Sequence, residues 1–185
     1  MGYCTNYIKS MKWWEWALAV VMTVLPMIGG FIGANSSSFD IYRKEDFKKP
    51  DWAPPGVVFG PVWTVLYLMM GLASFLVFKL GDCRLNESTV PPLILYAVQL
   101  LLNWTWSPVF FGLGAFAVGD IIIAGMVGLI LGCIVTFFPV SKVAAVLLVP
   151  YLAWCSFAMI LNYSIVVLNG AFYNSSQPEN QTLQY

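Results

Sequence analysis

Apolar residues run almost unbroken through five stretches of the chain, approximately Trp14–Ala34, Val57–Phe78, Pro92–Phe111, Ile121–Phe138 and Val143–Leu168. A helix needs about 20 apolar residues to cross roughly 30 Å of hydrocarbon, so the pattern predicts five transmembrane helices. The last run is long enough to tilt or to project beyond the bilayer. Strands of a membrane barrel would alternate apolar and polar positions over about ten residues, and these runs do not alternate. The first run is too long and too glycine-rich for a cleaved signal segment and is read as a retained span. Short connections make consecutive helices antiparallel neighbours. The expected architecture is an all-α integral membrane protein, a five-helix bundle forming one domain over residues 1–185, with a polar, disordered tail over 170–185.

Composition agrees with the pattern. Of the 185 residues, 59% are hydrophobic and only 10% charged, against about 25% charged in soluble domains. The net charge is zero, and the charges of the longest connection, from about Asn35 to Asp51, are mixed in sign. That excludes a nucleic-acid patch and describes a solvated loop. Orientation stays open, because Lys9, Lys12, Lys79, Arg84 and Lys142 fall on one side and Arg43, Lys44, Lys48 and Lys49 on the other.

The interior lacks the groups that ordinary enzymes and ion-coupled carriers use. The chain has no histidine, and the charges nearest the spans, Glu15, Lys79, Asp120 and Lys142, sit at predicted ends within reach of water. Cys4, Cys83, Cys133 and Cys155 have no metal-type spacing. No metal site, no cofactor and no conventional acid–base constellation is expected.

Aromatic residues are what remains. Between Lys49 and Tyr67 the chain reads KPDWAPPGVVFGPVWTVLY, a charged loop passing through Trp52, Pro54 and Pro55 into a helix whose Phe59, Trp63 and Tyr67 share one face. In the third run Gln99, Asn103 and Trp106 fall at i, i+4 and i+7. Gln99 and Asn103 either hydrogen-bond between helices or orient a ligand in an apolar pocket, and the two roles are compatible. Trp104 lies about 100° around the same helix, facing lipid or a neighbour. In the fifth run Trp154, Ala158 and Leu161 share a face, with Asn162 and Tyr163 following. Taken alone, such a stripe is more often core packing than a ligand surface, and tryptophans on three separate helices are what point to a ligand. Gly29 with Gly33, and Gly128 with Gly132, form two GxxxG pairs that let backbones approach closely, within the chain or in a homodimer. Pro26 and Pro150 should kink their helices, and such kinks can open a pocket.

LPMIGGFIGA (Leu25–Ala34), KPDWAPPGVVFGPVWTVLYLMMG (Lys49–Gly71), QLLLNWTWSPVFFG (Gln99–Gly112) and PYLAWCSFAMILNY (Pro150–Tyr163) resemble, in order, the signature segments of the translocator protein family, also called tryptophan-rich sensory protein or peripheral-type benzodiazepine receptor. The resemblance implies a five-helix receptor or translocator for porphyrins such as protoporphyrin IX, sterols and isoquinoline- or benzodiazepine-type ligands. It implies that Trp63, Asn103, Trp106, Trp154, Ala158 and Leu161 line the pocket, with Ala34 and Phe59 near its mouth. Gln99 joins them from the residue pattern. In bacterial relatives, tryptophans matching Trp63 and Trp154 are linked to light- and oxygen-dependent porphyrin breakdown, which makes a photo-oxidative enzyme the competing class and those two residues its catalytic candidates. A structural membrane protein without a ligand is a third. The membrane would be the mitochondrial outer membrane in a eukaryote and the cell envelope in a bacterium.

Two departures stand out. Val57 occupies the position, two residues after the double proline, where the family often has tryptophan. The cholesterol motif also needs a Lys or Arg soon after Tyr163, and the chain continues SIVVLNGAF. Sterol is expected to bind weakly there.

Overall fold

Two prolines and a set of glycines shape the bundle, which is seen in a computed structural model describing residues 11–35, 47–81 and 85–170, without the side chains of 32–35. Cys4, Cys83, the charges from Asp40 to Asp46 and the tail after Gly170 therefore lie outside the described residues, and of Gly33 and Ala34 only the helical backbone is described. The helices are α1 (Trp13–Val24), α2 (Met27–Asn35), α3 (Phe59–Leu80), α4 (Val90–Ser107), α5 (Phe116–Phe137), α6 (Lys142–Leu147) and α7 (Val149–Asn169). They compose five spans long and apolar enough to cross a membrane, bounded as Trp13–Phe31, Gly56–Leu80, Val90–Gly112, Phe116–Phe137 and Lys142–Asn169. Every backbone group in hydrocarbon must be satisfied internally, and helices do that within one segment.

The first span breaks between α1 and α2 at Leu25 and Pro26. Pro26 has no N–H, so the carbonyl of Met22 loses its intrahelical donor. That carbonyl and the one of Thr23 lie against Gly71 of α3, so closely that a Cβ on Gly71 would sit 2.5 Å from each oxygen. Past the break, α2 leans on α4 instead. There the Trp104 ring covers Gly29, and its indole N–H donates to the Pro26 carbonyl at 3.2 Å. Trp104 thus faces a neighbour, and Gly29 serves packing within the chain. In the fourth span, Gly132 receives Leu95 of α4, whereas Gly128 looks into open space.

The fifth span is interrupted at Leu148, with Pro150 in the first turn of α7, where its missing N–H costs nothing. Ser141 caps α6, its hydroxyl oxygen accepting from the Ala144 N–H at 3.2 Å. At the start of α1, Glu15 accepts from the Lys12 N–H at 2.9 Å and takes the Lys79 ammonium at 2.7 Å. Two of the four charges expected at span ends thus meet each other, joining the start of the first span to the end of the second.

α5 lies between α4 and α7, and its Ile123, Met126, Ile130, Cys133 and Phe137 form the centre of the core with Tyr151, Cys155, Ala158, Leu161 and Ile165 of α7. The outward faces are apolar too, with Ile121, Val135, Ile160 and Val167 well exposed, as a surface solvated by acyl chains requires. Trp13 and Trp16 stand exposed at the start of the first span, where indoles anchor at the headgroup level.

Candidate functional site

Because α1 leans on α3 and α2 leans on α4, the first span leaves a space beside the N-terminal half of α3. The space is a cavity of about 300 Å³. Its floor is glycine-rich, with Gly29 and Gly30 from α2 and Gly56 and Gly60 from the start of the second span. Met27 and Phe31 complete the α2 side. Phe59, Trp63 and Tyr67 supply the α3 wall together with Thr64, and Asn103, Trp106, Ser107 and Phe111 supply the wall from the third span. The face of period four in the sequence is thus the face that lines the cavity.

Trp63 is the centre of an aromatic group. Its ring centroid lies 5.4 Å from Tyr67, 6.4 Å from Trp106 and 6.1 Å from Tyr151. Trp106 stacks on Phe110 at 5.3 Å and meets Phe111 edge-on at 5.6 Å. Those two phenylalanines are carried by a π-helical turn, Pro108–Gly112, in which the Leu113 N–H reaches back to the Pro108 carbonyl at 3.0 Å. Pro108 cannot donate to the turn before it, and the helix widens there.

Polar groups sit behind the rings. The Tyr67 hydroxyl donates to Asn103 Oδ1 at 3.0 Å, and Asn103 Nδ2 donates to the Tyr151 hydroxyl at 2.8 Å. Gln99 Nε2 donates to the same Tyr151 oxygen. Gln99 therefore acts as an interhelical hydrogen-bonding group, fully buried and away from the cavity. Asn103 does both: it ties α3, α4 and α7 together and presents an edge to the cavity.

Of the residues singled out in the sequence, Phe59, Trp63, Asn103 and Trp106 come together on the cavity wall. Trp154 does not reach it. Its ring packs edge-on against Phe59 at 5.7 Å and beside Phe157 at 5.3 Å, one layer out. Ala158 and Leu161 are buried in the core, off the cavity wall. Ala34 lies outside the described side chains. Tyr163 and Val167, the positions relevant to sterol, both face outward. Among the described residues no cluster of metal-ligating side chains occurs.

Tyr67 was visible on the aromatic face of the sequence, but Tyr151 was not, because its partners belong to another helix. The wall as built offers flat apolar faces, few polar edges and no titratable side chain beyond tyrosine. Such a surface can hold a flat, mainly apolar molecule by stacking and by contact with backbone at the glycines. Among the described residues, none on the wall is a carboxylate, amine, histidine or thiol.

The comparisons with known proteins agree with this architecture. The sequence model of the TspO/MBR family matches residues 17–168. The chain is 41% identical to the translocator protein of Bos taurus over 152 residues, covering 80% of this chain and 88% of the bovine protein. It is 37% identical to the translocator protein homolog of Schizosaccharomyces pombe over 163 residues, covering 86% of this chain and 93% of that one. It is also 45% identical to the tryptophan-rich protein TspO of Chlorobaculum tepidum over 121 residues, covering 65% and 75% of the two chains. With five membrane-spanning helices and a match that runs from the first of them to the last, the chain belongs to the TspO/MBR family.

Proposed function

We propose that this multi-pass membrane protein binds a planar hydrophobic ligand in the cavity beside Trp63, in the trafficking or sensing of tetrapyrroles, with protoporphyrin IX as the representative ligand. One observation carries the reading: the cavity of about 300 Å³ is walled by Phe59, Trp63, Tyr67, Trp106 and Phe111 and by four glycines, with Asn103 as its amide edge. Aromatic rings supply stacking faces, and glycines allow close approach of a flat body. Binding is favoured over catalysis because the described wall is built of aromatic, glycine, methionine and uncharged polar residues, without a carboxylate, histidine or thiol among them.

A titration of purified protein with protoporphyrin IX in the dark tests this, with tryptophan fluorescence as the readout. Saturable quenching is expected. Trp63→Leu should weaken binding by about 1 kcal/mol, roughly fivefold, the value of one aromatic stacking contact. Trp154→Leu should weaken it less, because Trp154 reaches the cavity only through Phe59. Equal affinity in the unmodified protein and in Trp63→Leu and Trp106→Leu would remove the ligand from this cavity. Illumination in air supplies the second arm. A new absorbing product whose formation disappears in Trp63→Phe would assign the photo-oxidative class instead, whereas spectra matching a detergent control support binding without turnover.

A further inference from the structure

We infer that the ligand enters the cavity sideways from the bilayer, through an opening between α2 and α3 with Gly60 at its threshold. The inference rests on the reading of the cavity as the ligand site. Two sides of the cavity are closed by described residues. Toward the bundle interior, Tyr67, Asn103 and Tyr151 are hydrogen-bonded in series and buried. Along α4, Trp106 and Phe111 are buried in their ring cluster. At the loop end, Phe47 is buried edge-on against Phe116, and Trp52 packs against Phe157. The loop is also fastened there, the Lys48 N–H donating to Asn169 Oδ1 at 2.9 Å and Asn169 Nδ2 donating to the Lys48 carbonyl at 2.8 Å.

The side between α2 and α3 is open. Gly60, Thr64 and Phe31 line the cavity and are also exposed, and all three lie within membrane spans. A Cβ built on Gly60 meets nothing within 4 Å. The break at Pro26 explains the gap, since α1 is held against α3 at Gly71 while α2 is drawn toward Trp104. Gly60 lies four residues inside Gly56, the start of its span, roughly 6–8 Å along the axis. The opening therefore sits just beneath the headgroups.

That depth selects a chemical class. A flat amphiphile whose acidic groups rest at the interface and whose ring lies among the upper acyl carbons meets the opening ring first. The cavity volume is at the lower end for ligand pockets, so a tetrapyrrole seated against Trp63 extends through the opening into the lipid.

Stopped-flow quenching by protoporphyrin IX in lipid nanodiscs tests the route. Gly60→Leu places a side chain in the opening without touching the fold, and its thermal stability should equal that of the unmodified protein. Association should slow by about tenfold, the effect of roughly 1.4 kcal/mol of added barrier; because Gly60 also lines the cavity, affinity falls with it, and the association rate is the readout of the route. Gly128→Leu, equally unobstructed but on the fourth span, should leave both rates unchanged, as should Asn169→Ala at the fastened loop. Unaltered rates in Gly60→Leu overturn the opening alone. So does a loss of affinity carried wholly by faster dissociation with the association rate unchanged, or an acceleration confined to Asn169→Ala. Absence of saturable quenching in the unmodified protein overturns the ligand reading, and the opening with it.

Discussion

Gly71→Ala is expected to destabilise the protein by about 3 kcal/mol, at the upper end of what overpacking a well-filled core costs. The added methyl would lie 2.5 Å from the carbonyl oxygens of both Met22 and Thr23 and 2.7 Å from the Thr23 Cα. These are backbone atoms of a neighbouring helix, and no rotamer change can move them aside. Relief requires α1 and α3 to separate, which forfeits the close contact that drives helix association in lipid. Gly29→Ala differs in kind, because its methyl would meet the Trp104 ring, a side chain that can turn at the expense of its bond to Pro26. Gly128→Ala meets nothing and should be neutral or slightly stabilising through helix propensity. Unfolding by SDS titration in mixed micelles ranks the three. Equal midpoints for Gly71→Ala and Gly128→Ala would show that the α1–α3 approach is not close.

Tyr151→Phe should cost about 2 kcal/mol, although it deletes a single oxygen. That oxygen accepts from both Gln99 and Asn103 in a fully buried site, and an unsatisfied buried donor costs roughly 1–3 kcal/mol. Hydrogen bonds in membranes average nearer 0.6 kcal/mol, because the unfolded chain also finds partners, which holds the sum of two to the lower part of the range. Removing an orphaned donor should return part of the loss, so Gln99→Leu combined with Tyr151→Phe should be more stable than Tyr151→Phe alone. The same SDS titration measures both. If the double variant is the less stable by the full effect of Gln99→Leu, the two side chains do not share a hydrogen bond. Porphyrin affinity offers an independent readout, since Asn103 freed from Tyr151 no longer holds a fixed edge toward the cavity.

The five spans were legible because hydrocarbon thickness imposes a run length that sequence alone displays. Their ends were less so. The fourth helix begins at Phe116 rather than near Ile121, because Gly114 turns the chain in a left-handed conformation at φ 61° and the helix starts two residues later. The stretch GLGAFAVG reads as a loop until that turn is known. Phe59, Trp63 and Tyr67 could be placed on one face, since residues four apart on a single helix share a surface whatever surrounds them. Periodicity does not say which neighbour a face meets. Trp154 shares its face with Ala158 and Leu161 on paper, yet that part of α7 turns to the core and to Phe59. The role of Pro26 was visible as a kink but not as the reason why one half of a span leans on α3 and the other half on α4.

The clasp between Lys48 and Asn169 joins positions 121 residues apart, and its consequence concerns biosynthesis. A membrane chain is made and inserted from its N-terminus, so the segment around Lys48 is complete long before the ribosome reaches Asn169. Throughout that interval it has no amide to hold it, and the aromatic ring at Phe47 lacks the Phe116 it later packs against. Among the described contacts, fastening the loop is therefore a late event of assembly, dependent on the last turn of α7. A nascent chain halted a few residues short would carry all its earlier spans and still leave one end of the bundle unsealed.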